Sequence, residues 1–171
     1  MPPDNELFTN ALQGLHRGDF TRLEPLFIGA PPLIVSWHQE GRFRDHPTAV
    51  AEALTCACFL GRIDVAGYLL EQGVDPTTGA GTGMDALHWA ANRGQLAAVQ
   101  LLLRRKVPLE TKSRHGGTVL GTAVWSAIHE PRPAHLQIIE ELLNAGARVD
   151  DAGYPTGNEQ IDAALRQHGA S

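Results

Sequence analysis

Histidine is the residue type in this sequence best suited to acid-base or metal chemistry. The chain contains eight histidines, and histidine is both a frequent general base and the most common metal ligand near neutral pH. Three of them lie close to a glutamate late in the chain, in a set formed by His115, His129, Glu130 and His135. These side chains supply base candidates but no recognisable catalytic set. An enzyme with an unrecognised active site on loops is therefore kept as the rival hypothesis.

Other chemical motifs are absent from the sequence. The two cysteines, Cys56 and Cys58, are one residue apart in a helical pattern, so their side chains point in different directions and a structural disulfide is not expected. We expect Cys58 in a small-residue core position and Cys56 on an exposed helix face. The glycine-rich stretch 79–83 lacks the flanking strand and Lys-Ser/Thr of a phosphate-binding loop and is interpreted as a flexible turn tip. We predict no catalytic residue, no metal and no cofactor.

Composition limits the classes of partner. Of the 171 residues, 43% are hydrophobic and 19% are charged, as in a folded domain. The net charge of -5 gives no electrostatic reason to expect nucleic acid or an anionic membrane and mildly favours a basic partner. The start, MPPDNELF, lacks the features of a secretory signal, and no apolar run approaches the roughly 18 residues of a membrane span. We expect a cytoplasmic protein.

Apolar residues recur along the chain with a period of 33 residues. Two series show this period: Leu54, Leu87 and Leu120, and Ala57, Ala90 and Ala123. The third unit keeps the pattern only after seven extra residues at 128–134, where Pro131 and Pro133 predict a loop between the two helices of that unit. A period of this length indicates a repeat protein in which neighbouring units share one core.

Each unit is predicted to contain two short helices followed by a polar turn. In the second unit, Asp85 can cap an inner helix over 86–93, Gly94 can end it with a positive φ, and an outer helix covers 96–105. The inner helix is rich in alanine, which permits close stacking. The outer helix carries one apolar stripe, formed by Leu96, Val99, Leu102 and Leu103.

These units resemble the ankyrin-repeat family, whose inner helix follows the pattern T-P-L-H-x-A-A-x-x-G. The second unit reads Leu87-His88-Trp89-Ala90-Ala91-Asn92-Arg93-Gly94, and the first ends Leu69-Leu70-Glu71-Gln72-Gly73-Val74-Asp75. The resemblance implies an all-α fold, an ankyrin-repeat solenoid of stacked helix-turn-helix units. It also implies that His88 bonds to the backbone between repeats.

The resemblance and the phase of the pattern divide the chain into five segments. We predict an N-terminal helical cap and irregular segment at 1–45, repeats at 46–78, 79–112 and 113–153, the last with the inserted loop, and a C-terminal helical cap at 154–171. Within the first segment, 7–27 has its apolar residues in helix-pair order. The stretch 28–45 is predicted to be either an extended loop packed on the stack or an atypical hairpin.

The resemblance implies that the protein binds another protein, because ankyrin repeats do so with their concave face and turn tips. Trp89 fills a variable position of the inner-helix motif, and Trp125 aligns with the variable position of Asn92. The expected partner-binding residues are Phe59, Trp89, Asn92, Arg93, His115 and Trp125. The alternative for the two tryptophans is that the inserted loop or the N-terminal segment covers them as core.

The main functional hypothesis is a non-enzymatic protein-protein interaction module whose partner is a protein of unknown identity. A sharper form of this hypothesis is an inhibitor or immunity protein for a toxin or enzyme, suggested by the small size, the mild acidity and the lack of a recognisable catalytic domain.

Overall fold

The computed structural model describes residues 3–171, which fold as two compact units. The first unit ends at Ala86 and the second begins at Leu87. The described residues form ten α-helices, one short 3₁₀ helix and no strand longer than an isolated bridge. The predicted all-α fold is confirmed.

The first unit consists of five α-helices. They are α1 (Pro3–Arg17), α2 (Phe20–Leu23), which continues as a 3₁₀ helix (Glu24–Phe27), α3 (Leu33–Gln39), α4 (Pro47–Leu60) and α5 (Ile63–Glu71). The helix pair predicted for 7–27 is present as α1 and α2, with Gly18 at φ 76° between them.

The second unit contains the remaining five, the first of which begins at the boundary residue Ala86. They are α6 (Ala86–Asn92), α7 (Leu96–Arg104), α8 (Val119–His129), α9 (His135–Asn144) and α10 (Glu159–Gln167). The predicted inner and outer helices at 86–93 and 96–105 correspond to α6 and α7 and differ from them by one residue at the C-terminal ends. Gly94 has the predicted positive φ of 69°, so the chain turns between these helices where expected.

Helix α4 is buried on nearly its whole circumference, because α1, α2 and α5 all pack against it. Cys58 lies in the core as predicted. The expectation that Cys56 is exposed is wrong: the cap formed by α1 and α2 covers this face, and the Cys56 thiol donates to the carbonyl of Phe20 at 3.8 Å. Burial raises the pKa of the Cys58 thiol to about 12, so neither free thiol is suited to form the thiolate that metals and oxidants require.

The segment predicted as an extended loop or hairpin contains a helix, α3, and that prediction is wrong. Pro32 precedes the helix, and Ile34, Val35 and Trp37 are buried by packing on the rest of the unit. Tertiary packing outweighs the low helix propensity of this β-branched run. The segment therefore belongs to the core of the first unit.

The glycine-rich turn is also packed more tightly than predicted. The backbone N–H of Gly81 donates to the buried carboxylate of Glu52 on α4 at 3.3 Å. A Cβ atom at residue 81 would lie 2.7 Å from the carbonyl oxygen of His16, so the turn requires glycine there. The turn packs against the C-terminal end of α1 and bonds to the middle of α4, and it does not project as a free tip.

In the second unit, α7 and α9 carry the apolar faces that bury the core. Val99 and Leu102 are fully buried, whereas Leu96 and Leu103 at the edges of the predicted stripe remain half-exposed. The segment 154–171, for which a C-terminal cap is predicted, contains α10, whose first turn is closed by the Asn158 side chain accepting from the Ile161 N–H at 3.1 Å.

The inserted residues of the third predicted repeat are only partly a loop. Helix α8 runs through Ile128 to His129, so the prediction that the insertion begins as loop at 128 is wrong by two residues. The helix ends immediately before Glu130, the residue that precedes Pro131 and is therefore disfavoured in helical conformation. The insertion thus lengthens the inner helix and then the turn.

Candidate partner-binding surface

The lengthened end of α8 presents an exposed apolar ridge. Trp125 is 51% exposed and Ile128 is 40% exposed, and their spacing of three residues places them on one face of the helix. His129, four residues beyond Trp125, lies on the same face and is exposed. We call these three residues the Trp125 ridge.

The Trp125 side chain is held in place by His129. The two rings stack with centroids 4.6 Å apart and an interplanar angle of 18°. The His129 Nδ1 lies 2.9 Å from the Trp125 carbonyl oxygen, and because a carbonyl only accepts, Nδ1–H donates this bond. The indole therefore has one face stacked on a fixed imidazole while half of its surface meets solvent.

Two arginines lie beside each other at the adjacent end of α6. A Cβ atom at Gly94 would lie 3.0 Å from Cβ of Arg132, so the arginine stem crosses directly over the glycine backbone. Partial burial, and then the charge of Arg132, lower the pKa of Arg93, while Glu130 acts in the opposite direction. Both arginines therefore lie at this end of α6, where the Arg132 guanidinium donates to the carbonyl oxygen of Glu130 at 3.4 Å.

A buried histidine builds this arrangement. His135 at the start of α9 accepts from the Arg132 backbone N–H through Nδ1 at 3.0 Å. Its Nε2 must therefore carry the proton, and it donates to the carbonyl oxygens of Ala91 and Asn92, each at 3.1 Å. His135 fastens the loop residue Arg132 to the end of α6.

The same end of α6 is tied to α8. The Asn92 side chain donates to the Ser126 hydroxyl at 2.9 Å, and Ser126 directly follows Trp125 in the chain. Asn92, Arg93 and Trp125, which the sequence analysis grouped together, therefore lie in one region of the second unit. This region combines an exposed aromatic ridge with a pair of guanidinium groups.

The other predicted partner-binding residues occupy different environments. Trp89 lies half-buried on α6, and His115 is exposed in the turn before α8. Phe59 belongs to the first unit, where its ring packs edge-to-face on Phe20 with centroids 5.5 Å apart. For Trp125 the structure rejects the alternative of burial beneath the inserted loop.

His88 has the role that the resemblance implied. It is buried, and its Nε2 lies 3.0 Å from the carbonyl oxygen of Gly117, in the next predicted repeat. His135, which the rival enzyme hypothesis used, is committed to backbone hydrogen bonds in the same way. It is therefore not exposed as a base beside His129 and Glu130.

The predicted partner-binding residues did not include Ile128, His129 and Arg132, because all three were assigned to the inserted loop. The available signal was Pro131, since a helix can continue to two residues before a proline. Extending α8 to that limit places Trp125, Ile128 and His129 at helical spacings of three and four residues.

Among residues 3–171, no three His, Cys, Asp or Glu side chains are grouped so that they could hold a metal ion. None of the helices in this part of the chain has the length and apolar character needed to cross a bilayer.

Comparison with known families identifies the repeat. The family model for ankyrin repeats, in three copies, matches residues 54–152, which is more than half of the chain. The chain therefore belongs to the ankyrin-repeat family. No curated protein matched the chain. Ankyrin repeats are generally protein-protein interaction modules and are typically not enzymes, which supports a binding role.

Proposed function

We propose that the chain is a non-enzymatic module that binds a protein partner through the Trp125 ridge and the neighbouring end of α6. The observation that carries this proposal is the exposure of Trp125 at a position where the repeat's own packing requires no large aromatic. The general role of ankyrin repeats supports it.

The ridge has the physical properties of an interface anchor. Tryptophan is enriched among the residues that dominate binding energy, because it buries a large apolar surface and still offers an N–H donor. The stack on His129 fixes the indole before binding, so less side-chain entropy is lost when a partner covers it. Asn92 and Arg93 supply polar groups beside this anchor.

The other predicted partner-binding residues remain part of the proposal, each within its own unit. Trp89 and His115 in the second unit, and Phe59 in the first, remain proposed as partner-binding residues. Their contributions are expected to be smaller than that of Trp125, because Trp89 and Phe59 are already partly covered.

A finer proposal is that binding inhibits an enzyme or toxin. A preformed anchor suits tight association with the rigid surface of a folded protein, and protease inhibitors illustrate how tight such rigid interfaces can be. Two free, buried thiols are compatible with the cytoplasmic location that we also propose. If the partner is an enzyme, adding the purified chain should reduce its turnover in proportion to complex formed; full activity in the saturated complex would reject inhibition.

Affinity capture with a matched control tests the binding proposal. The immobilised wild-type chain is compared with Trp125→Ala and with Leu7→Ala, which removes another exposed apolar side chain, 42% exposed, on α1. Captured proteins are identified by mass spectrometry. We expect a partner that wild type and Leu7→Ala retain and Trp125→Ala loses. A reproducible partner retained equally by all three would reject the ridge as the binding surface.

A further inference from the structure

The charge around the ridge differs from the charge of the whole chain. Although the net charge is -5, two arginines, Arg93 and Arg132, lie together at the end of α6, with Glu130 as the nearby acidic residue. The overall acidity mildly favoured a basic partner. The two arginines beside the ridge favour an acidic group on the partner instead.

The arginine pair is positioned by the fold. The Arg132 stem crosses Gly94, whose positive φ and missing side chain leave room for it. Its backbone is fixed by the buried His135, which bonds on its other side to the carbonyl of Asn92. Arg93 follows Asn92 directly, so His135 holds the two arginines beside each other.

A carboxylate is the group that best complements this arrangement. A guanidinium presents several N–H donors in a planar fork that matches a carboxylate, and charge-assisted hydrogen bonds of this kind are the stronger ones. The net negative charge of the chain disfavours long polyanions such as nucleic acid, so a single carboxylate of a protein partner is the better match.

We propose that the partner contacts this surface with a segment that places an Asp or Glu carboxylate against Arg93 and Arg132 and an adjacent apolar side chain against the Trp125 ridge. The inference rests on the proposed function, because it assumes that the ridge is the contact surface. It adds the chemistry of the bound segment.

A displayed library of random peptides tests this chemistry without a known partner. Peptides are selected on the wild-type chain and depleted on Trp125→Ala, so that only ridge-dependent binders remain. We expect these to be enriched in Asp or Glu next to an aromatic or large aliphatic residue. Replacing that acid by its amide in a synthetic copy should weaken binding about tenfold or more.

Variants of the chain provide the matched controls. Arg93→Gln and Arg132→Gln keep most of each stem but remove the charge, and each should weaken the acidic peptide about tenfold. Arg105→Gln removes an exposed guanidinium at the end of α7 and should change affinity less than twofold. The double variant Arg93→Glu with Arg132→Glu reverses the charge of both side chains and should select Lys- or Arg-containing peptides instead.

The outcomes separate the two proposals. Ridge-dependent peptides without acidic enrichment would overturn this inference and leave the proposed function intact. No ridge-dependent peptide at all would count against both. Binding of a single-stranded oligonucleotide is measured with the same variants. If the oligonucleotide binds the wild type, does not bind the arginine variants and is not displaced by acidic peptides, the arginine pair binds phosphate and the carboxylate is rejected.

Discussion

Two tryptophans lie where the chain departs from the repeat, and their environments are opposite. Trp37 on α3 is 1% exposed, whereas Trp125 on α8 is 51% exposed. The Trp37 ring packs edge-to-face on Phe8 at 5.1 Å, and its Nε1–H donates to the Asp4 carboxylate at 3.4 Å. The Trp125 ring is stacked on His129 and leaves half of its surface to solvent.

The difference depends on what each departure from the repeat adds to the chain. The N-terminal segment forms a helix and returns to the core, where Arg42 pairs with Asp4 and lies 4.4 Å from the centre of the Phe8 ring. The insertion at 128–134 lengthens α8, and the chain then turns through Pro131 and Pro133 without covering the added turn of the helix. The N-terminal segment therefore stabilises the fold, whereas the insertion creates the exposed Trp125 ridge.

The largest expected effect is on stability, at Trp37. Replacing Trp37 by Ala should lower the free energy of unfolding by about 3–5 kcal/mol, because it removes a fully buried aromatic and leaves a cavity. Denaturant melts measure the change. A loss below about 1 kcal/mol would mean that α3 does not close the core of the first unit, and the contrast with Trp125 would fail.

A smaller loss of stability is expected when the backbone beside the arginine pair is disturbed. Gly94→Val should cost about 1–3 kcal/mol, because a β-branched residue resists the φ of 69° and its Cβ would crowd Arg132 at 3.0 Å.

The matched control for that change is Gly67→Ala, within α5, where an added Cβ meets nothing within 4 Å. It should stabilise the protein by about 0.5–1 kcal/mol. If both substitutions shifted the melting midpoint in the same direction, the conformation assigned to Gly94 would be wrong.

The smallest of these effects depends on pH and concerns the buried Glu52 in the first unit. Burial raises the pKa of Glu52 above its ordinary 4.5, although bonds from the Gly81 and Ala80 N–H groups oppose this. Its Oε2 is buried without a partner among the described residues. The contribution of a carboxyl with a raised folded pKa is present below its unfolded pKa and is lost as pH rises through its folded pKa.

Glu52→Gln should therefore become more stable relative to wild type as pH rises from about 4 to about 8. Equilibrium melts across this range measure the difference, and Glu71→Gln, which removes an exposed carboxyl at the end of α5, is the matched control for the substitution itself. If wild type gained stability over the Gln variant as pH rose, the pKa of Glu52 would be lowered by folding and not raised, and the burial of its carboxyl beneath the glycine-rich turn would be wrong.

The repeat was predictable from the sequence, and its departures were not. The 33-residue period fixes the phase of the inner and outer helices, and the left-handed Gly94 follows from its residue type at the end of a helix. The buried His88 was implied by the resemblance to the ankyrin family. Sequence propensity predicted the wrong structure for 28–45, because its β-branched run favours an extended chain. In the structure the packing of Trp37 outweighs that preference, and the run is helical.

The candidate site was only partly predictable, for a similar reason. Asn92, Arg93 and Trp125 could be selected because they occupy variable positions of the repeat. Whether such a side chain is exposed depends on which segments outside the repeat pack over it, and the period of the sequence does not show this. Cys56 shows the converse error, since its face of α4 is free in the repeat pattern but is covered here by the N-terminal cap.

The most direct test of the account compares affinity and stability in one variant. Calorimetric titration of Trp125→Ala against the captured partner, beside a denaturant melt of the same protein, measures both. We expect binding to weaken by about 2 kcal/mol or more, while the free energy of unfolding changes by less than about 0.5 kcal/mol. Intact affinity together with a large loss of stability would show that Trp125 serves the fold, and would contradict the claim that the lengthened end of α8 exists to bind a partner.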